Sequence, residues 1–523
     1  MFCKSYCAVL IGVKAQIVQV EADVSDGLPI FHMVGYLGSE VKEASDRVRS
    51  AIKNTGYRFL PKRITVNFAP ADIRKAGTAF DLACAMALMG AFGYTDTVLY
   101  SETLFVGELS LDGRINGIQG ILPFVLAAKN NGFKYCFVPR ENIGEALMIN
   151  DIAVIGVSSL KEVCDIINSH IPKECISYGE EQKESVSEDS ADMFLSDIVG
   201  QEHVKRAAVI AAAGRHNILI IGSPGTGKTM LAERLPFIMP PPDDDERLEI
   251  SVISSICDSE YTVTGIRPFR SPHFTITPSG LLGGGKGLLP GEISRAHNGI
   301  LFLDELTEFK RETLELLRLP LESGHVALAR NSRIINYPSN VMLIGAMNPC
   351  PCGYYPNINR CRCSQSQIKR YLGKISHAFL ERFDIIIETE SVSVSNLIEK
   401  SKMDITTADK NRHDGIIKEN IKAAYNIQKE RYTNSSVKYN SDLNSTDIKS
   451  YCHLTSDCEE LLGDVYEEWG LSARTRNRIV KVARTIADYE GCRDIDVNHL
   501  NEAIFYRKTE YSLWNKKGDM VWN

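Results

Sequence analysis

The chain of 523 residues has no run approaching the ~18 consecutive apolar residues that a membrane-spanning helix requires, although 44% of it is hydrophobic. Met1 to Gln16 do not set a charged region before a long apolar run, so they do not read as a secretory leader. The expected location is the cytoplasm. Internal repeats and extended low-complexity tracts are also missing, which argues against solenoid and fibrous architectures. There is no surplus of positive charge: 59 Lys and Arg stand against 66 Asp and Glu, a net charge of −7. A molecule of that sign repels phosphate as a whole, so any contact with nucleic acid must use a local basic surface. Fourteen cysteines without a secretion signal read as reduced thiols or metal ligands rather than disulfides.

The length is too great for one core and predicts about three domains. Residues 1–170 mix strand-like stretches such as Ile64 to Phe68 with a helix-like stretch from Asp81 to Gly90. Residues 171–192 are polar and acidic and read as a linker. A nucleotide-binding core is expected over 193–390. A polar stretch from Ser391 to Asp414 then leads into a helical pattern at Ile416, Ile417, Ile421, Ala424 and Ile427, so 391–508 should be mainly helical and 509–523 a tail.

The most informative segment is Gly222-Ser223-Pro224-Gly225-Thr226-Gly227-Lys228-Thr229. It fits a phosphate-binding loop: glycines let backbone N–H groups close around phosphate oxygens, Lys228 reaches the terminal phosphates, and the Thr229 hydroxyl can ligate magnesium. Asn217 to Ile221 before it reads as a buried strand, and Met230 to Phe237 after it as a helix start. Downstream, Leu301, Phe302 and Leu303 lead to Asp304, suited to magnesium, and Glu305, suited to polarise the attacking water. The expected cofactors are ATP and Mg2+.

Val341 to Met347 is a second buried-strand pattern ending in Asn348, placed either to orient water beside the terminal phosphate or to cap a turn. Two arginine-bearing segments follow: Leu380-Glu381-Arg382-Phe383-Asp384, and Ser472-Ala473-Arg474, which opens a helix carrying Arg476, Arg478, Lys481 and Arg484. In oligomeric ATPases one arginine commonly comes from the neighbouring subunit and another from the same chain's lid. For Arg382 a surface salt bridge is the competing reading.

These motifs, with Asp197-Ile198-Val199-Gly200-Gln201, Pro290-Gly291-Glu292-Ile293-Ser294, Ala296-His297-Asn298-Gly299, Asn348-Pro349-Cys350-Pro351-Cys352-Gly353 and Ala483-Arg484-Thr485-Ile486-Ala487-Asp488, resemble the ComM (YifB) family of magnesium-chelatase-like AAA+ proteins over nearly the full length. The resemblance implies an α/β fold: an AAA+ P-loop ATPase core, a helical C-terminal lid and an N-terminal Lon-protease-like α/β domain. It casts Gly222 to Thr229 and Asp304-Glu305 as the Walker elements, Asn348 as sensor 1, Arg382 as a trans arginine finger and Arg474 as sensor 2, with Arg478 as the competing sensor. It also implies a homo-hexameric ring that drives branch migration of DNA joints, single-stranded or branched, during recombination of incoming DNA in natural transformation, with recombinase machinery as the expected partner.

Where DNA would be held is less specific. The insert Gly265 to Gly291 carries Arg267, Arg270, His273 and Lys286 among glycines, and a hairpin-like stretch from Gly324 to Tyr337 carries His325, Arg330 and Arg333. Both match the positions of pore-facing hairpins in this clade. Repeated around a ring, these cations would bind a DNA backbone without reading sequence; the alternative is pairing with acidic residues at subunit interfaces.

Cys350, Cys352, Cys361 and Cys363 form C-x-C-x8-C-x-C, a departure from the usual C-x2-4-C knuckle spacing but able to supply four thiolates to one structural zinc. Reduced loop thiols or a redox pair are the alternatives. Phe105 to Pro139, with Lys75 to Asp81, resembles the Lon protease domain. Ala79 falls where its serine would stand and Leu122 where its lysine would, so the nucleophile and base are both missing. The leading expectation is a DNA motor without membrane association. A chelatase-like ATPase remodelling a protein or metal-insertion partner is the second reading.

Overall fold

In a computed structural model, the described residues are 1–179, 193–257, 265–285, 287–330, 333–357, 359–390 and 407–514. The chain divides into two compact units. One comprises Met1–Glu184 with Arg247–Val263 and Ala329–Tyr337, and the other Ser185–Glu246, Thr264–Leu328 and Pro338–Asn523.

The first unit opens with an antiparallel hairpin of β1 (Phe2–Ile11) and β2 (Lys14–Ser25), closed between Ile11 and Lys14 by a turn in which Gly12 takes φ +64°. With β3 (Ile30–Val34) and β4 (Arg63–Ala69) they form a sheet in the order β1-β2-β4-β3. Helix α1 spans Ser39–Asn54. Helix α2 (Asp81–Phe92) is apolar all round and all but Gly90 of its residues are buried, which fits a helix enclosed in a core rather than lying on a surface. A second, parallel sheet joins β5 (Thr103–Phe105), β6 (Tyr135–Pro139) and β7 (Ala153–Val157), with α3 (Ile121–Asn130) and α4 (Leu160–Asn168) as its connecting and closing helices.

The expected linker from residue 171 is corrected at its start. Ile171 is buried, and Ser177 exchanges backbone hydrogen bonds of 2.8 and 3.0 Å with Val154, so 171–179 continue the unit. The rest of that linker, 180–192, lies outside the described residues.

The second unit is built on a five-stranded, all-parallel sheet. Its strands are β8 (Ile218–Ile221), β9 (Phe269–Arg270), β10 (Ile300–Leu303), β13 (Met342–Met347) and β14 (Ile385–Glu388), in the order β9-β10-β13-β8-β14. The intervening β11 (His325–Arg330) and β12 (Arg333–Pro338) pair separately as a hairpin. β8, β10 and β13 are buried at every residue, as continuous apolar runs in a sheet covered on both faces should be. Parallel strands end on one edge, where the loops that bind ligands in such sheets lie.

Helices α5 (Glu202–Gly214), α6 (Lys228–Ile238) and α7 (Gln365–Leu372) flank the sheet. The C-terminal part is helical, with α8 (Thr407–Arg431), α9 (Ser456–Trp469), α10 (Ala473–Tyr489) and α11 (Val497–Trp514). A buried polar network joins sheet to helices: His216 reaches Asp384 Oδ2 at 3.2 Å through Nδ1 and Thr485 Oγ1 at 2.7 Å through Nε2, and Arg431 grips Asp488.

The expected tail from 509 is also corrected. Helix α11 runs on to Trp514, whose indole N–H donates to the carbonyl of Leu372 at 3.4 Å; residues 515–523 lie outside the described set. No helix among the described residues is long and apolar enough to cross a membrane.

Candidate functional site

The loop Gly222–Gly227 leaves the end of β8 and enters α6, so its N–H groups gather at a helix N-terminus, the place where a phosphate is best stabilised. Gly225 and Gly227 take φ +78° and +86°, backbone conformations that a side chain would strain. Gly222 is needed for space: a Cβ there would fall 1.7 Å from the Thr389 hydroxyl, which itself donates to Thr226 Oγ1 at 2.9 Å.

Lys228 Nζ donates to the carbonyls of Gly222 (2.7 Å) and Ser223 (3.0 Å) and to Asn348 Oδ1 (3.3 Å). Desolvation lowers its pKa, opposed by the carboxylate of Asp304. The Thr229 hydroxyl donates to Asp304 Oδ2 at 2.9 Å. Hydroxyl and carboxylate thus converge from α6 and the end of β10, the donor pair that would hold a magnesium ion. Glu305 is exposed and takes φ +51°, uncommon for a residue with a side chain and a form of local strain that clusters at functional sites.

Register explains how these residues meet. Ile221 pairs with Met347 and Leu303 with Gly345, so the phosphate loop, the acidic pair and Asn348 emerge from neighbouring strand ends. Two cavities open there. One, of about 1050 Å³, is lined by Ser223 to Gly227, by Ile198 and Val199, and by Tyr354, Asn357 and Arg360. The other, of about 420 Å³, joins Glu305 and Asn348 to Arg370 and Lys374. Sequence reasoning missed Arg370, Lys374 and Thr389; no local pattern marks them, because they reach the site from α7, the loop after it and the end of β14.

Arg382 and Arg474 are placed elsewhere. They line a third cavity, of about 660 Å³, with Glu322, Asp384, Arg478 and Lys481, and neither lines the phosphate-loop cavities. Glu322 takes Arg382 at 2.8 Å and Arg474 at 3.9 Å, Glu381 takes Arg474 at 3.8 Å, and Asp384 takes Arg478 at 3.3 Å. The expectation that a lid arginine meets the phosphates of its own chain is therefore corrected for Arg474: helix α10 holds it beside Arg382 instead.

The candidate DNA contacts fare unevenly. Arg267 is corrected outright. It is only 2% exposed, donating to Glu246 Oε2, Pro240 O and Asn298 O at 2.7 Å each and to the Tyr439 hydroxyl at 2.9 Å. A guanidinium so enclosed needs its carboxylate and cannot serve a DNA backbone. Arg270 forms a two-pronged pair with Glu292 at 2.7 and 2.9 Å. Arg330 is exposed on β11 and Arg333 lies on β12, while Lys286 falls outside the described residues.

The four cysteines after Asn348 converge. All their Sγ atoms lie within 4.8 Å of one another, with Cys350 to Cys352 at 3.4 Å, Cys350 to Cys361 at 3.8 Å and Cys352 to Cys361 at 3.6 Å. Against desolvation, the Tyr354 N–H and the Cys350 thiol pull the Cys352 thiol down to about 6. In the first unit Ala79 and Leu122 are buried in the core, where neither can attack a bond or move a proton. The thiol against Ala79 is Cys7, whose pKa burial pushes far up, the opposite of what a nucleophile needs.

Comparison with known proteins gives family matches over three stretches: magnesium chelatase, subunit ChlI, over residues 194–397; subunit ChlI of Mg-chelatase over 20–142; and magnesium chelatase, subunit ChlI C-terminal, over 414–507. The chain is 39% identical over 507 residues to the competence protein ComM of Haemophilus influenzae, covering 96% of both chains. It is 40% identical over 505 residues to the uncharacterised protein YifB of Escherichia coli, again covering 96% of each. A shorter likeness, 30% identity over 190 residues, links it to the magnesium-chelatase 67 kDa subunit of Heliobacterium mobile, covering 30% of this chain and 28% of that protein.

Proposed function

The chain belongs to the ComM/YifB family of magnesium-chelatase-like AAA+ proteins, and from that premise we propose that it is an ATP-driven motor which moves DNA branch points. It is an AAA+ ATPase by family, and the geometry fits turnover. The loop amides and Lys228 would cradle the phosphates, and Thr229 with Asp304 would hold Mg2+, which supplies charge neutralisation when bound. Glu305 stands at the strand end to orient and deprotonate water, and Asn348, bonded to Lys228, fixes the geometry between them.

Assembly into a homo-hexameric ring is the reading that the placement of Arg382 supports. This arginine lines a cavity separate from its own phosphate loop, so the phosphate it would neutralise belongs to a neighbouring subunit. That separation is the observation on which the ring reading rests. DNA as substrate rests on the near-complete match to a protein named for competence, with Arg330 and Arg333, carried on two paired strands, as the candidate cations. The N-terminal unit, with Ala79 and Leu122 in place of a dyad, acts as a scaffold or collar. Recombinase machinery is the expected class of partner, and the cytoplasm the expected location.

A chelatase-like remodelling role, acting on a protein or metal-insertion partner, is favoured by the match to the 67 kDa chelatase subunit, but that match covers far less of the chain. The deciding measurement is ATP-dependent displacement of strands from a labelled synthetic four-way junction. Wild type should displace strands, and Lys228→Ala and Glu305→Gln should not. ATP turnover that no DNA stimulates, without displacement, would transfer the assignment to the remodelling reading.

A further inference from the structure

The four-cysteine loop is absorbed by neither ATP chemistry nor DNA movement, and it adjoins the nucleotide site. Its sulfur–sulfur distances of 3.4, 3.6 and 3.8 Å are far longer than the ~2.05 Å of a disulfide. They approach the ~3.8 Å edge of a tetrahedron whose metal–sulfur bonds are ~2.3 Å. The Tyr355 N–H points at Cys350 Sγ, 3.4 Å away, the kind of outer contact that orients a thiolate ligand. Cys350 is fully buried and the other three are half-buried.

The loop these cysteines clip together is a wall of the ATP cavity. Gly353, at φ +81°, packs so closely on the phosphate loop that a Cβ there would lie 2.6 Å from Cδ of Pro224. Tyr354, Tyr355, Asn357 and Arg360 line the cavity opposite Ser223 to Gly227, with the Arg360 guanidinium 5.8 Å from the centre of the Tyr354 ring. Upstream, only Pro349 separates Cys350 from Asn348, which bonds Lys228.

We propose that Cys350, Cys352, Cys361 and Cys363 bind one thiophilic divalent cation of the zinc class, and that this ion fixes the loop forming the outer wall of the nucleotide cavity. Four sulfurs close the coordination sphere, leaving no position for water, so the ion is structural. Its loss frees the wall formed by Tyr354, Tyr355, Asn357 and Arg360 and withdraws Tyr354 and Arg360 from the nucleotide while the Walker residues stay in place. Nucleotide affinity therefore depends on metal loading and falls when the thiols are oxidised or alkylated.

The test uses the full chain. Metal content is measured by mass spectrometry, with release by a thiol-titrating mercurial, in wild type and in Cys361→Ser/Cys363→Ser. Because that double variant can misfold, wild type stripped of metal is also reloaded with Co2+, whose thiolate charge-transfer and tetrahedral bands report the ligand set. About one equivalent of metal per chain, its loss in the variant and those Co2+ bands are expected. Removing the metal should weaken binding of a fluorescent ATP analogue at least about tenfold, reversed by Zn2+. Under about a tenth of an equivalent, with no cobalt–thiolate bands, overturns the metal site. Stoichiometric metal whose removal leaves nucleotide affinity unchanged overturns the coupling. Neither readout involves DNA, so both stand apart from the branch-migration assay.

Discussion

The phosphate-loop cavity and the arginine cavity belong to the same unit, yet they are built by opposite means. The first is mostly backbone: a six-residue loop, two glycines in the left-handed region and three strand ends locked in register. Its polar side chains already lie within hydrogen-bonding distance of one another, before any ligand arrives. The second is all side chain, gathered from the segment around Glu322, from Arg382 and Asp384 beside β14, and from α10, and its cations are held by carboxylates. A preorganised anion site can bind alone. An arginine that already has an ion pair must exchange it for a phosphate before it can neutralise one.

The strongest way to break that contrast is to ask whether the two cavities serve the same ATP. Arg382→Ala should lower ATPase kcat by about 10³ or more while leaving nucleotide binding within a few-fold. Glu305→Gln should lower it by about 10² to 10⁴. Mixed one to one, the two inactive proteins should regain activity, because an interface pairing an intact Glu305 from one chain with an intact Arg382 from the other is complete. Random mixing leaves about a quarter of interfaces complete in a cyclic ring. Absence of any recovery, in mixtures shown to co-assemble, would place both groups on one chain's nucleotide.

Much of the first cavity was legible in the chain itself. A phosphate loop is local, so spacing alone specifies Gly222 to Thr229, and a buried run ending in a polar residue pointed to Asp304 and Asn348. What spacing cannot carry is partnership across the fold. Arg267 sits in a glycine-rich insert and reads as a surface cation, but Glu246 and three backbone carbonyls enclose it. Arg474 reads as a lid arginine facing its own nucleotide, but helix α10 carries it to Glu322 and Glu381. Polarity read as a linker or tail at 171–179 and 509–514, where Ser177 in fact bridges Val154 and Trp514 docks on Leu372.

The arginine cavity also has a stability that depends on charge, and this sharpens the contrast. Asp384 is buried; desolvation alone would raise its pKa, but the His216 ring and Arg478 hold it down from 3.8 to about 2. A carboxyl depressed in the folded state stabilises it above the unfolded value and loses that contribution as pH falls through the folded value. A difference of nearly two units corresponds to about 2 kcal/mol. The gap in denaturant midpoint between wild type and Asp384→Asn should therefore be constant from pH 8 to about pH 5 and close between about pH 4 and 2. A gap that instead narrows above pH 5 would mean that a different group carries the pairing.

The smallest effect is expected at Glu322, and it separates a resting clamp from a catalytic group. Its side chain is 54% exposed and takes Arg382 at 2.8 Å and Arg474 at 3.9 Å. Exposed pairs contribute about 0–1 kcal/mol, so Glu322→Gln should barely alter the unfolding midpoint. Because the free arginines no longer have to exchange partners, the protein concentration giving half-maximal ATPase should fall by up to about fivefold, with kcat within about threefold of wild type. A fall in kcat beyond about tenfold would instead make Glu322 a member of the reacting site, and would show the arginine cavity to be as preorganised as the phosphate loop.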